Sequence, residues 1–425
     1  MLSTLRNAWK VPELRRRIIF TIFMVAIIRM GNHIPVPGID TGALSNLTKT
    51  GSLFSFYDLM SGGALSNFSI FAMGVVPYIN SSIIFQLLTI AIPSLEQLSK
   101  EGEEGRKKIQ QYTRYGAVIM AALQSFGTYA LIRSHGAISN VSKLDVFLIV
   151  LTLTTSSIFL MWLGDQITVK GIGNGVSIII FVNIMSRLPQ KIFQVVSLQS
   201  TEAVSFIEII LLLAFSLLLF IAVVIATLAE RRIPIQYAAK NSGGRMFKGQ
   251  STHIPINMNS SGIIAIIFAM SVMQFPTVIG TFWSESAFNK FVSTSRYSMF
   301  RMNTWPYALA TVILVIFFTW FYTEVTFKPD EMAENIHKSA GFIPGIRPGE
   351  PTAKFISRVL LRVSILGGLF AAVIATTPMF IENYSNFKGL SFGGTALLIE
   401  VGVALDFMRQ LEAQLVMRHY KGFLK

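Results

Sequence analysis

The sequence predicts an all-α polytopic membrane protein of ten transmembrane helices, and three observations carry that prediction. Predominantly apolar runs recur along the chain, each near the ~20 residues that cross a ~30 Å hydrocarbon core, and each stops at a cluster of charge, Gly or Pro. Apolar residues make up 52% of the chain and charged residues only 14%, with a mean hydropathy of +0.56, which lies outside the range of soluble domains of this length. Lys and Arg concentrate in alternate loops, the asymmetry that orients membrane proteins.

The elements follow in chain order. Met1 to Arg17 carries Arg6, Lys10, Arg15, Arg16 and Arg17 ahead of an apolar run, a pattern shared with signal peptides. Arg29, Gly31 and Pro35 follow where a small-residue cleavage site would belong, so a retained first span over 18–34 is expected. About forty residues separate it from the next run. Within them Ser52 to Asn67 is amphipathic, short of a span and punctuated by Gly62 and Gly63. Such a segment either re-enters the membrane as a half helix lining a cavity or lies on the surface.

Further spans are expected at 70–92, 112–133, 146–164, 174–188, 207–228, 260–283, 305–325, 357–378 and 393–412, which places both termini on one side. The N-terminal segment, the loops 93–111, 165–173, 229–259 and 326–356, and the tail from Arg409 hold about 23 Lys and Arg, against about 9 in the opposite loops. Those basic segments, and both termini, are expected in the cytoplasm. Arg29, Arg114, Arg358 and Arg362 sit near span ends, where snorkelling accounts for them.

Two of the basic loops exceed what a connector needs. The loop 229–259 places Arg231, Arg232, Lys240, Arg245 and Lys248 among Ile233, Ile235, Tyr237 and Phe247, with Gly243, Gly244 and Gly249, a mixture suited to a projecting docking finger. The loop 326–356 contains Gly345-Ile346-Arg347-Pro348-Gly349, a turn that presents one arginine. Attraction to anionic lipid explains basic loops by itself. A ribosomal RNA surface or an acidic cytosolic protein fits the net charge of +14 as well.

Catalytic and cofactor constellations are absent from the letters. With no Cys there is neither a disulfide framework nor a thiolate site. His33, His135, His253, His337 and His419 are too scattered for a paired-histidine metal motif, so no metal and no cofactor are expected. Gly171 to Gly175 is glycine-rich but opens a span rather than following a strand. Gly244 and Gly249 have phosphate-loop spacing, yet Gln250 stands where that loop requires Lys. Nucleotide hydrolysis and enzymatic activity are therefore not expected.

Six motifs, in order over essentially the whole chain, carry a family resemblance. FYDLMSGGALSNFSIFAMGVVPYINSSIIFQLL from Phe56, KEGEEGRKKIQQYTRYG from Lys100, GIGNGVSIIIF from Gly171, QSTHIPIN from Gln250, GFIPGIRPG from Gly341 and FGGTALLIEVGVALD from Phe392 resemble the SecY family of bacterial protein-translocase channels. The resemblance implies two inverted pseudo-symmetric halves, 1–188 and 189–425, hinged between spans five and six, with a plug half-helix over about 53–67. The plug residues would include Tyr57, Ser61, Gly62, Gly63, Ala64 and Leu65. The glycine pair then reads as a flexible, closely packed tip.

By the same resemblance the pore ring maps onto Ile79, Ile83, Val176, Ile180, Ile267 and Ile399. The first four form two i, i+4 pairs, each facing one side of its helix. Six converging aliphatic side chains would make a dry gasket that resists ions and yields to an extended polypeptide. A lateral gate between spans two and three and spans seven and eight would contain Gln86, Ser271 and Gln274, polar groups that either hold the gate closed or serve ordinary helix packing. Glu400 departs from the apolar residue expected there, and an acid at that depth demands a partner or water.

The implied function is passage of unfolded secretory polypeptides across the bacterial inner membrane and lateral release of hydrophobic segments into lipid. The implied partners are SecE and SecG in the membrane, the SecA ATPase or the translating ribosome on the cytoplasmic side, and preproteins bearing signal sequences. Arg231, Arg232, Arg245, Lys248 and Arg347 would dock the cytosolic partner. A secondary transporter of a small solute is the alternative; it would more often carry acids in several spans and short cytoplasmic loops.

Overall fold

The computed structural model describes residues 2–36, 58–134, 142–200, 204–237, 241–242, 245–246, 251–258, 262–282, 286–295, 297–301, 304–385, 387 and 394–422. Each of the expected spans falls on a helix. Helix α1 (Leu2–Lys10) is amphipathic and precedes α2 (Pro12–Gly31), the first span, which starts on Pro12 with Glu13 in its first turn. Ala8 of α1 is buried with Ile172 and Leu411, so the N-terminal helix lies against the last span rather than apart from the bundle.

The second span is shorter than the letters suggest. Residues 70–75 form turns, and helix α3 runs over Val76–Ala91. Pro93 removes an amide donor and pushes Ile92 into an extended conformation, so the chain bends by 99° into α4 (Pro93–Lys100). Helix α5 (Glu103–Ser134) extends well before the expected start at 112, carrying Arg106, Lys107 and Lys108 beyond the apolar stretch. Helix α6 (Lys143–Lys170) begins at a capping box in which the Ser142 amide donates to Asp145 at 3.0 Å.

The fifth span is α7 (Gly175–Met185), capped by Asn174 Oδ1 accepting from the Ser177 amide at 3.2 Å, and it continues after a turn into α8 (Leu188–Ser200). Helix α9 (Phe206–Leu228) is the most uniformly apolar, with exposed Leu and Ile around most of its circumference, as a lipid-facing span requires.

The first long basic loop is built on paired strands. It folds into strands β1 (Glu230–Tyr237), β2 (Asn241–Ser242), β3 (Arg245–Met246) and β4 (Ser251–Asn257). Strands β1 and β4 pair antiparallel, with Ile233 opposite Ile254 and Ile235 opposite Thr252. After α10 (Gly262–Phe282), α11 (Ala287–Thr294), α12 (Trp305–Phe327) and α13 (Pro329–Lys338), the second loop contributes β5 (Gly341–Phe342). This strand adds to the free edge of β1, giving the order β4-β1-β5. Alternation puts Ile233, Ile235 and Ile256 on one face, buried against Ile336, Ile343, Ile356 and Leu360. Helices α14 (Glu350–Tyr384) and α15 (Gly394–Gly422) complete the bundle.

By length and apolarity alone five helical segments qualify as crossings among the described residues. The rest are bent, kinked or charge-bearing helices, the kind that line a protein interior rather than float in lipid. Two buried apolar clusters fill the bundle. One joins α3 to α9, α10, α12, α14 and α15; the other joins α2, α6, α7 and α15 to the segment 60–76.

Candidate pore, plug and docking sites

Ile79, Val176, Ile180 and Ile399 belong to one apolar cluster, and Ile83 and Ile267 to the adjoining one, with Ile79 packed against both. The six residues picked as a ring thus come from α3, α7, α10 and α15 and divide between two apolar clusters that meet at Ile79. Ile83, Ile180 and Ile399 are buried, and the other three half-buried. Met60 and Ala64 of the expected plug pack into the same cluster as Ile180 and Ile399.

The plug segment, in the part described, is re-entrant and not surface-lying. Met60, Ser61, Ala64, Leu65 and Phe68 are all buried. Helix is confined to 58–61, followed by turns to 75, so the half-helix is shorter than expected among the described residues; Tyr57 and 53–56 lie outside them. Its far end is pinned where the Val36 amide donates to the Phe68 carbonyl and the Ile70 amide to the Ile34 carbonyl, both at 2.9 Å.

A polar network holds this segment, and the letters gave little sign of it. The Arg187 guanidinium forms an ion pair with Asp58 and donates to Ser66 Oγ at 2.8 Å and to Gln190 at 2.6 Å. Asp58 Oδ1 also accepts from the Ser66 amide at 2.7 Å, closing the segment on itself. Asn183 donates to the Met60 carbonyl at 3.0 Å, Asn32 to the Ser61 carbonyl at 3.1 Å, and Arg29 to the Gly62 carbonyl at 3.4 Å. Val176, Ile180, Asn183 and Arg187 stand at i, i+4, i+7 and i+11. Continuing the ring stripe along α7 would have found Asn183, and extending it past the helix end into the turn would have reached Arg187.

Gly62 and Gly63 are closely packed, as expected of the tip. Their φ values are +69° and +91°, the left-handed region that glycine enters without strain. A Cβ on Gly63 would stand 2.3 Å from Arg187 Cζ, and one on Gly62 2.9 Å from Arg29 Nη1. The glycines let two arginines come against the main chain.

The three expected gate residues stand in different surroundings on α3 and α10. Gln86 is exposed on α3, Ser271 is half-buried on α10, and Gln274 is buried with its Nε2 finding no partner among the described residues. Polar contacts within the first half lie elsewhere: Ser81 Oγ donates to the Thr113 carbonyl at 2.7 Å, tying α3 to α5, and Arg114 pairs with Asp165 at 2.8 Å, tying α5 to α6. Glu400 is buried beside Ile399, and the opposite charge acting on it is Lys191 of α8. The acid therefore has an electrostatic counterpart on the helix that follows α7.

In the basic loops Arg231 and Arg232 are exposed on β1, with Arg232 bonded to Glu230 at 2.6 Å. Arg347 is exposed on a turn bounded by Gly345 (φ +82°) and Gly349 (φ +94°), and its carbonyl accepts from Thr352 Oγ1 at 2.8 Å, which fixes the turn to the start of α14. Ile346 beside it packs into the core under the sheet. Arg245 lies on β3, and Lys248 falls outside the described residues.

Known proteins resemble this chain throughout. A sequence model of the SecY family matches residues 69–408. The protein translocase subunit SecY of Halalkalibacterium halodurans is 43% identical over 437 aligned residues, covering 100% of both chains. That of Escherichia coli K12 is 40% identical over 97% of this chain and 94% of the relative. Among solved structures, a protein-conducting channel superposes with a TM-score of 0.68 at 19% identity, covering 95% of this chain and 93% of that one. Sec61 in a canine ribosome–channel complex gives 0.64 at 18%, covering 95% and 93%. With this likeness along its whole length, in a bundle where the buried segment 60–76 packs against aliphatic residues of α7 and α15, the chain belongs to the SecY family.

Proposed function

We propose that the chain forms a protein-conducting channel that passes unfolded secretory polypeptides across the membrane and releases hydrophobic segments sideways into lipid. The observation that carries this reading is the plug seat: Met60 and Ala64 packed into the cluster that contains Ile180 and Ile399. A re-entrant stopper against a ring of deformable aliphatics suits a path that must stay sealed to ions yet admit a chain of any sequence. Ile79, Ile83, Val176, Ile180, Ile267 and Ile399 form the ring, and segments 1–188 and 189–425 form the two halves. SecE and SecG accompany the chain in a bacterial inner membrane, with both termini cytoplasmic.

Work for transport comes from a cytosolic partner, the SecA ATPase or the ribosome, engaged through Arg231, Arg232 and Arg347, whose guanidinium forks suit carboxylates and phosphates alike. The test is reconstitution of the purified channel with the partner ATPase and a preprotein. ATP-dependent protection of the preprotein from external protease is expected. Protection that needs no ATP, or none at all with all partners present, would overturn the reading.

A further inference from the structure

Three side chains of the channel wall bond to three consecutive main-chain carbonyls of the plug: Asn183 to Met60, Asn32 to Ser61 and Arg29 to Gly62, at 3.0, 3.1 and 3.4 Å. Each of these bonds ends on the backbone, so the arrangement reads a peptide chain without reading its sequence. From this we propose that Asn183, Asn32 and Arg29 form a carbonyl-binding cradle that takes the main chain of the polypeptide in transit once the plug has left, the plug being its resident stand-in.

Position and order support the assignment. Asn183 stands one turn beyond Ile180 on the stripe that carries the ring residues of α7, so a chain that has passed the constriction meets it next. The cradle is built before any ligand arrives: Asn32 and Asn183 are buried, Asn32 also donates to Asn183 Oδ1 at 3.2 Å, and Arg29 is aimed by Ser186 at 2.8 Å. Ser186 in turn donates to the Asn183 carbonyl at 2.7 Å. When the plug departs, buried amide donors lose their acceptors, a state that costs more than leaving them paired. An extended polypeptide offers a carbonyl at every residue and any side chain, which satisfies the same donors during passage. The hold on the plug alone is separable from this, because the Asp58–Arg187 ion pair and the Ser66 bonds engage the plug's own side chains.

The proposal rests on the channel reading and is tested on the full chain with its partner ATPase. A preprotein stalled by a folded C-terminal domain is followed for backward sliding, by loss of protease protection after ATP removal. Two variants are compared: Asn32→Asp with Asn183→Asp, which keeps shape but turns carbonyl-binding donors into acceptors, and Asp58→Asn, which loosens the plug and leaves the cradle intact. Both are expected to raise resting ion leak. Only the asparagine variant is expected to speed backward sliding, by about fivefold or more, the scale of one lost hydrogen bond. Equal sliding in both variants would overturn the proposal and leave the cradle as a plug latch alone.

A second measurement needs no channel variant. A preprotein with backbone esters over the stalled stretch, whose carbonyls accept more weakly, should slide back two- to threefold faster through the wild-type channel, and an unchanged rate would overturn the proposal. Failure of the wild type to protect any preprotein would overturn the channel reading as well, an outcome distinct from protection with unchanged sliding.

Discussion

Replacing Asp58 with Asn isolates one charge from the plug's hold. The asparagine keeps an oxygen for the Ser66 amide, now bonded at 2.7 Å, but removes the carboxylate that faces Arg187. Breaking a buried ion pair by removing one partner costs about 3–5 kcal/mol when the remaining charge is stranded. Here the two side chains are 18% and 12% exposed, and Arg187 keeps Ser66 and Gln190 as acceptors. Screening and those bonds reduce the figure to about 2 kcal/mol, which is about thirtyfold in the ratio of seated to unseated plug. In planar bilayers the resting open probability should rise by that order. The neutral pair Asp58→Asn with Arg187→Gln should recover much of the closure, since it strands no charge. A stably inserted Asp58→Asn channel with wild-type resting conductance would refute the claim that this pair holds the plug.

Three further outcomes are expected. Ile83→Asn or Ile399→Asn should increase resting ion leak and tolerance of poor signal sequences, because an amide lets water wet the constriction; unchanged conductance in both would remove them from the ring. Arg347→Glu should abolish ATP-driven translocation at unchanged membrane abundance, read by protease protection, because the exposed turn reverses charge without touching the core; wild-type rates with wild-type motor affinity would dismiss the turn as a docking site. Gly63→Ala should weaken the seated plug by about 1–3 kcal/mol through its φ of +91° and the approach of Arg187, so that it leaks as Asp58→Asn does, and a leak-free variant would show that the glycine is replaceable.

The spans were legible because an apolar run long enough to cross a bilayer has few other readings, and Phe206–Leu228 agrees with the expected 207–228 to within a residue. Boundaries failed where charge continues a helix past the apolar stretch, as at Glu103 before 112, because hydropathy reports the solvent and not the backbone hydrogen bonds. The three-stranded sheet was visible in part, as alternation in Ile233-Pro234-Ile235, but its third strand comes from residues 341–342, a pairing that no local pattern specifies. The plug's anchors were missed for the same reason. Asp58 and Arg187 are 129 positions apart, and each alone reads as an ordinary charged residue near a span end. Much of the plug's hold is polar and falls on its main chain, where residue identity carries no sign of it.

The pairing of β1 with both β4 and β5 has a mechanical consequence. Strand β1 follows α9 directly, β4 leads into α10, and β5 lies between α13 and α14. A pull on the Arg347 turn therefore cannot be absorbed by one loose loop. It loads a single stiff plate from which three spans descend, and α10 is the helix that carries Ile267 as well as Ser271 and Gln274. A load placed on the sheet would therefore reach α10, and Ile267 with it, through paired backbone rather than through the side chains of one connector.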